Sequence, residues 1–202
     1  MRAPDRRRAV ALACALVGAL VAAPARATFG FDDLMATLAA RKSGEARFAE
    51  ERTVSGLDQP LRYSGTMSFS APDRLERQTL TPRRESFVVE GNQVTLQRGE
   101  RVRRLPLDSA PELAAMVAAL RGTLAGDGSV LRRYFKVSVE GSAPRWTMTL
   151  VPLDFQLLGT VRLLRIDGMQ AEVRVVELQL ADGDRSVTTI EPLPSKARAA
   201  TP

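Results

Sequence analysis

Three groups of neighbouring carboxylates have the residue types and spacing for acid–base chemistry: Asp32-Asp33, Glu50-Glu51 and Asp182-Gly183-Asp184. Two carboxyls held close can split their pKa values and act as acid and base. Each group also has a simpler explanation. Asp32 and Asp33 suit the first turn of a helix, Asp182-Gly183-Asp184 reads as a hairpin turn, and Glu50 and Glu51 point to opposite faces of a strand. The chain contains no histidine, which removes Ser-His-Asp and Cys-His arrangements and imidazole metal sites. Its one cysteine, Cys14, lies in an apolar run near the amino terminus. The expectation is a protein that is not an enzyme and holds no cofactor and no metal.

Residues 1–27 have the make-up of a cleaved signal peptide. Arg2, Arg6, Arg7 and Arg8 form a basic start, Ala9 to Val21 is an apolar run too short to span a bilayer, and Ala25-Arg26-Ala27 is an A-x-A cleavage site. Only Ala9 to Ala13 separate Cys14 from the arginines, too few residues for a lipid-attachment signal. The protein is therefore expected to be exported, with a mature form that begins at Thr28 and has no disulfide. Cleavage would also change the charge. The segment carries five arginines and one aspartate, and without it 24 basic and 22 acidic residues remain, a net charge of +2. Interspersed acids and this small excess argue against nucleic acid as a partner.

The remaining length suits one domain, expected over residues 28–191, and Pro192 to Pro202 has the composition of a disordered tail. Phe31, Leu34, Met35 and Leu38 recur at helical spacing up to Lys42-Ser43-Gly44. From Leu61 to Phe69 the period is two: Leu61, Tyr63, Met67 and Phe69 share one face, and Arg62, Ser64, Thr66 and Ser68 the other. Alternation continues from Arg74 to Thr79, in Phe87 and Val89, and in Val94 and Leu96 beyond a turn at Gly91-Asn92. A second helix is signalled by the capping-box pattern Ser109-Ala110-Pro111-Glu112, with Leu113, Met116, Val117 and Leu120 on one stripe. Gly122 should weaken that helix and Gly126 end it. Strands follow over Tyr134–Val139, Arg145–Val151, Thr160–Ile166, Val173–Leu180 and Arg185–Ile190, with turns at Gly141-Ser142, Asp167-Gly168 and Asp182-Gly183. Trp146, Met148 and Leu150 share one face. The total is nine or ten antiparallel strands and two helices, a sheet large enough to curl and needing cover for its apolar side.

Several segments resemble LolA, the periplasmic carrier of outer-membrane lipoproteins. They are Phe48-Ala-Glu-Glu-Arg52, Gly65-Thr-Met-Ser-Phe-Ser-Ala-Pro-Asp-Arg74, Phe87-Val-Val-Glu-Gly-Asn92, the central helix, and Trp146-Thr-Met-Thr-Leu-Val-Pro152, in the family's order. The resemblance implies a mainly β fold with some α: an unclosed antiparallel β-barrel, or half-barrel, whose helices cover a concave apolar face that holds acyl chains. It places the lipid-contacting residues at Leu61, Tyr63, Met67, Phe69, Phe87, Val89, Trp146, Met148 and Leu150, with a lid formed by Leu113, Met116, Val117 and Leu120. It implies a monomeric carrier of acylated lipid or lipoprotein, receiving cargo from an inner-membrane exporter and giving it to an outer-membrane acceptor. One departure is Ala71, which stands before Pro72 where the family has an arginine that couples closed and open states. A lipid-sensing regulatory domain and a protein-binding adaptor are the alternatives for such a fold.

Arginine outnumbers lysine 21 to 3 after residue 27. Arg74, Arg77, Arg83 and Arg84 form one cluster and Arg98, Arg101, Arg103 and Arg104 another. Guanidinium groups bind phosphates and carboxylates in a bidentate manner, and they also guard a sheet edge against strand pairing.

Overall fold

The computed structural model describes residues 29–194; the expected export signal and the tail from residue 195 lie outside the described residues. Eleven antiparallel strands form one sheet, in the order β6-β5-β4-β3-β2-β1-β11-β10-β9-β8-β7. β6 and β7 are free edges, so the sheet curls without closing. The strands are β1 (Ser43–Thr53), β2 (Leu61–Ser70), β3 (Arg74–Thr81), β4 (Glu85–Glu90), β5 (Gln93–Arg98), β6 (Arg101–Pro106), β7 (Phe135–Ser142), β8 (Arg145–Pro152), β9 (Val161–Met169), β10 (Glu172–Leu180) and β11 (Arg185–Pro192). Among the described residues four helices accompany them: α1 (Phe31–Ala39), α2 (Pro111–Ala125), α3 (Gly128–Tyr134) and the single turn α4 (Phe155–Leu158). The fold is the mainly β half-barrel with helical cover that the sequence implied.

Alternation along the strands decides the concave face. β8 buries every second residue, with Trp146, Met148 and Leu150 enclosed, and its register sets Met148 opposite Ile166 and Leu150 opposite Leu164 on β9. α1 and α3 close over these residues through Leu34, Leu38 and Leu131 to make the main core. A smaller cluster of Val89, Val94, Leu107 and Val117 seals the opposite flank. Residues that water cannot reach therefore lie at both sides of the concavity, with less dense packing between them.

Three expectations need correction. Ser109 does not cap α2. It belongs to a 3-10 turn, Leu107–Ser109, and its Oγ donates to Pro106 O (2.6 Å). That turn is pinned to the β4–β5 corner, because Leu107 N donates to Asn92 O (2.7 Å) and Asn92 Nδ2 to Asp108 Oδ2 (3.0 Å). The helix start moves one residue on, to Pro111 after an Ala110 cap that makes no side-chain hydrogen bond. Gly126 does end α2, in the left-handed conformation.

Gly122, within α2, is also a point of close approach: a Cβ there would meet Leu131 Cδ2 of α3 at 2.9 Å. Neither Gly141-Ser142 nor Asp167-Gly168 is a turn: β7 runs through Ser142, and the chain reverses there at Ala143-Pro144. β9 runs on to Met169, and the chain reverses at Gln170, whose φ is 52°. Lastly, β6, α3 and the single turn α4 were not foreseen. β6 is an arginine-rich free edge, consistent with the edge-guarding role of the second cluster.

α3 is short and depends on its cap. Asp127 Oδ1 accepts from Ser129 N (3.1 Å), Val130 N (3.2 Å) and Ser129 Oγ (2.6 Å), and these bonds, led by the Ser129 hydroxyl, hold its carboxyl below the usual range. Asp127→Ala is expected to cost about 1 kcal/mol in urea unfolding, with Asp127→Asn close to the wild type. Equal losses in both variants would show that charge, not capping, is what matters there.

Candidate functional site

α2 packs on α1 and α3 and meets the sheet through Val117 and Leu113, which join Val89 and Val94 in the smaller cluster. Its stripe of Leu113, Val117, Leu120 and Leu124 faces the concave side, while Ala115, Ala119 and Gly122 allow close contact with the other helices. Met116 leaves the expected stripe and packs against the main core. Among the described residues, the hydrogen bond that ties α2 directly to the sheet is Arg121 Nη1 donating to Gly91 O (2.8 Å), at the β4–β5 turn. The Nε and Nη2 atoms of Arg121 are buried without a partner, and burial pushes its pKa down against the pull of Asp73.

Between α2 and the sheet lies a mostly apolar cavity of about 220 Å³. Met67, Phe69, Phe87, Val117 and Leu120, all expected at the site, line it. It also takes in residues that were not foreseen, among them Leu38, Ala46, Val173, Val176 and Ile190. Leu38 could have been found from the α1 stripe, and Val176 and Ile190 from period-two alternation on β10 and β11.

The other expected site residues lie elsewhere. Trp146, Met148 and Leu150 are enclosed in the main core, and Val89 and Leu113 belong to the smaller cluster. Leu61 is 40% exposed at the far end of β2. Tyr63 lies at that end too, with the Arg52 guanidinium 4.8 Å from its ring centroid.

One acidic residue stands apart from the structural roles assigned to the carboxylates. Asp33 accepts from Gly30 N (2.9 Å), Asp32 pairs with Arg132 (2.9 Å), and Asp184 accepts from Ser55 N (2.8 Å). Glu51 faces away from Glu50 and pairs with Arg62 (3.3 Å). Glu50, by contrast, is 5% exposed on the concave face. Its Oε1 accepts from Arg52 Nε (2.7 Å) and Ser186 Oγ (2.5 Å), and its Oε2 from Arg77. The Arg77 guanidinium also lies 3.9 Å from the Phe48 ring centroid and lines the cavity. Burial alone would raise the Glu50 pKa. Hydrogen bonds from Arg52 and Ser186, with the positive charge of Arg77, outweigh it and hold the carboxyl below its ordinary range. The apolar cavity thus ends against a buried, paired charge.

The family described as outer membrane lipoprotein carrier protein LolA-like matches residues 22–201. The chain belongs to this LolA-like family. Similar solved structures include a LolA superfamily protein from Nitrosomonas europaea, at 9% identity over 86% of this chain and 98% of that one, with a TM-score of 0.42. The Pseudomonas aeruginosa MucA/MucB complex matches at 15% identity and a TM-score of 0.42, over 85% of this chain and 61% of that chain. LprF from Mycobacterium bovis matches at 9% identity and a TM-score of 0.36, over 80% and 91%. No curated protein matches the sequence. Within the LolA-like pattern, Ala71 lies in the β2–β3 turn, where its N–H donates to Lys42 O (2.8 Å).

Proposed function

We propose that this LolA-like protein is a periplasmic carrier that shelters the acyl chains of a lipoprotein or another acylated molecule between α2 and the sheet. It would take that cargo from an inner-membrane exporter and pass it to an outer-membrane acceptor. The observation that carries the reading is the apolar cavity under α2. Each methylene withdrawn from water is worth about 0.8 kcal/mol, so a carrier needs such a dry surface and no covalent chemistry. The cavity, at about 220 Å³, is smaller than the roughly 300–1,000 Å³ of ordinary ligand sites. Loading therefore requires α2 to swing outward, breaking the Arg121–Gly91 hydrogen bond and lifting Val117 and Leu113 off Val89 and Val94, contacts that the incoming acyl chains would replace. Met67 adds a flexible thioether to the lining.

The test is native mass spectrometry of protein purified from the periplasm without detergent, followed by identification of what organic solvent extracts. An acylated species should accompany the wild type. Met67→Glu places a charge on the half-buried cavity wall and should lower binding at least about tenfold while the protein stays folded, since burying an unpaired charge costs several kcal/mol. An empty wild-type protein that instead retains one polypeptide would sink the carrier reading in favour of an adaptor.

A further inference from the structure

Cross-strand partners in an antiparallel sheet share a face, so the register maps the concave surface in rows. The row under the helices is apolar: Phe69, Leu75, Val89, Val94 and Leu105. The next is mixed, with Met67, Arg77, Phe87, Leu96 and Arg103. The third is Gly65, Thr79, Glu85, Arg98 and Arg101. The face therefore changes from dry to cationic within three rows, and the change occurs at the cavity, which Met67, Arg77 and Phe87 line. Arg77 is paired with Glu50, and Arg98 Nε with Glu85 Oε1 (2.8 Å). Among the described residues Arg101 and Arg103 make no ion pair, and both are exposed. The margin holds spare positive charge beside the apolar cavity.

We propose that this margin is a headgroup subsite: Arg98, Arg101 and Arg103 bind the phosphate of an anionic phospholipid whose chains occupy the cavity. The inference rests on the carrier reading and narrows the cargo to a phosphate-bearing lipid. Three features support that choice. Arginine presents paired donors that match phosphate oxygens. An amphiphile must have its charged end beside its apolar end, as the rows do. The exposed Leu96 lies between the arginines and the cavity, on the path the first carbons of the chain would follow.

The experiment compares dioctanoyl phosphatidylglycerol with dioctanoylglycerol, which has the same chains and no phosphate, by calorimetry on the protein beginning at Thr28. The wild type should prefer the phospholipid roughly tenfold, and the preference should shrink with added salt. R98Q/R101Q/R103Q should lose the preference while still binding dioctanoylglycerol. Failure of the wild type to bind either lipid would overturn the carrier reading itself. Equal binding of both lipids, or an unchanged preference in the variant, would overturn the headgroup subsite alone. Inorganic phosphate bound as tightly as the phospholipid would also overturn it, by showing a site for the free ion. So would a variant that keeps its preference but no longer docks on anionic vesicles, which would assign the arginines to membrane docking.

Discussion

Glu50→Gln is expected to destabilise the protein by about 2–3 kcal/mol, lowering the melting temperature by roughly 5–10 °C. The substitution leaves Arg77 over the Phe48 ring with no counter-charge at the edge of an apolar cavity. Removing one partner of a buried pair costs about 3–5 kcal/mol. The lower figure applies here because the Arg77 and Arg52 side chains remain 26% and 47% exposed. Replacing Glu50 and Arg77 together, by Gln and Met, should recover the stability to within about 1 kcal/mol of the wild type, because the one charge left without its partner is then Arg52, whose side chain is 47% exposed to water. A loss below about 0.5 kcal/mol in the single variant would mean that water already screens the network.

The same group gives a pH dependence with a definite sign. The folded-state pKa of Glu50 is depressed, so its contribution is complete above the ordinary carboxylate range and is lost as pH falls through the folded value. Glu177 behaves alike: the hydrogen bond from Arg185 leads in holding it at about 2. Stability should thus decline from about pH 4.3 toward 2, and less steeply in Glu50→Gln. Parallel acid titrations of the two proteins, followed by circular dichroism, check this.

Local pattern explains which parts of the molecule could be read in advance. β2 and β8 carry unbroken period-two alternation, and the structure keeps each strand's apolar side on the concave face. β6 escaped because Arg101-Val-Arg-Arg-Leu-Pro has no apolar period; its arginines face both the concavity and solvent on a strand paired along one edge only. α3 escaped because seven residues hold too few turns for a helical period to emerge. At the site, alternation identifies a face but not how far along that face the helices reach. Met67 and Leu61 share a face in sequence, yet only Met67 lies under α2. Glu50 could not be read at all as a buried centre, since Arg77 and Ser186 are 27 and 136 residues away and meet it only through sheet pairing.

Gly168→Ala is expected to cost about 3 kcal/mol, a melting temperature lowered by roughly 6–12 °C. Gly168 pairs with Trp146 across β8 and β9, and a Cβ there would fall 2.1 Å from Trp146 Cζ2 and 2.6 Å from Glu172 O. The indole cannot yield. It is 1% exposed, and its Nε1 donates to Gln170 O (2.9 Å) in the very turn that follows β9. The glycine is thus the complement of the tryptophan, which is why an Asp-Gly pair occurs in mid-strand. Trp146→Phe removes the atom that clashes, so the double variant should lose less than the sum of the two single losses. Strict additivity in calorimetry would show that the two sites do not share one packing constraint. Coupling of the expected size would mean that Trp146 and Gly168 form one packing unit joining β8 to β9 beneath α1 and α3, apart from the Val117 and Arg121 contacts by which α2 meets the sheet.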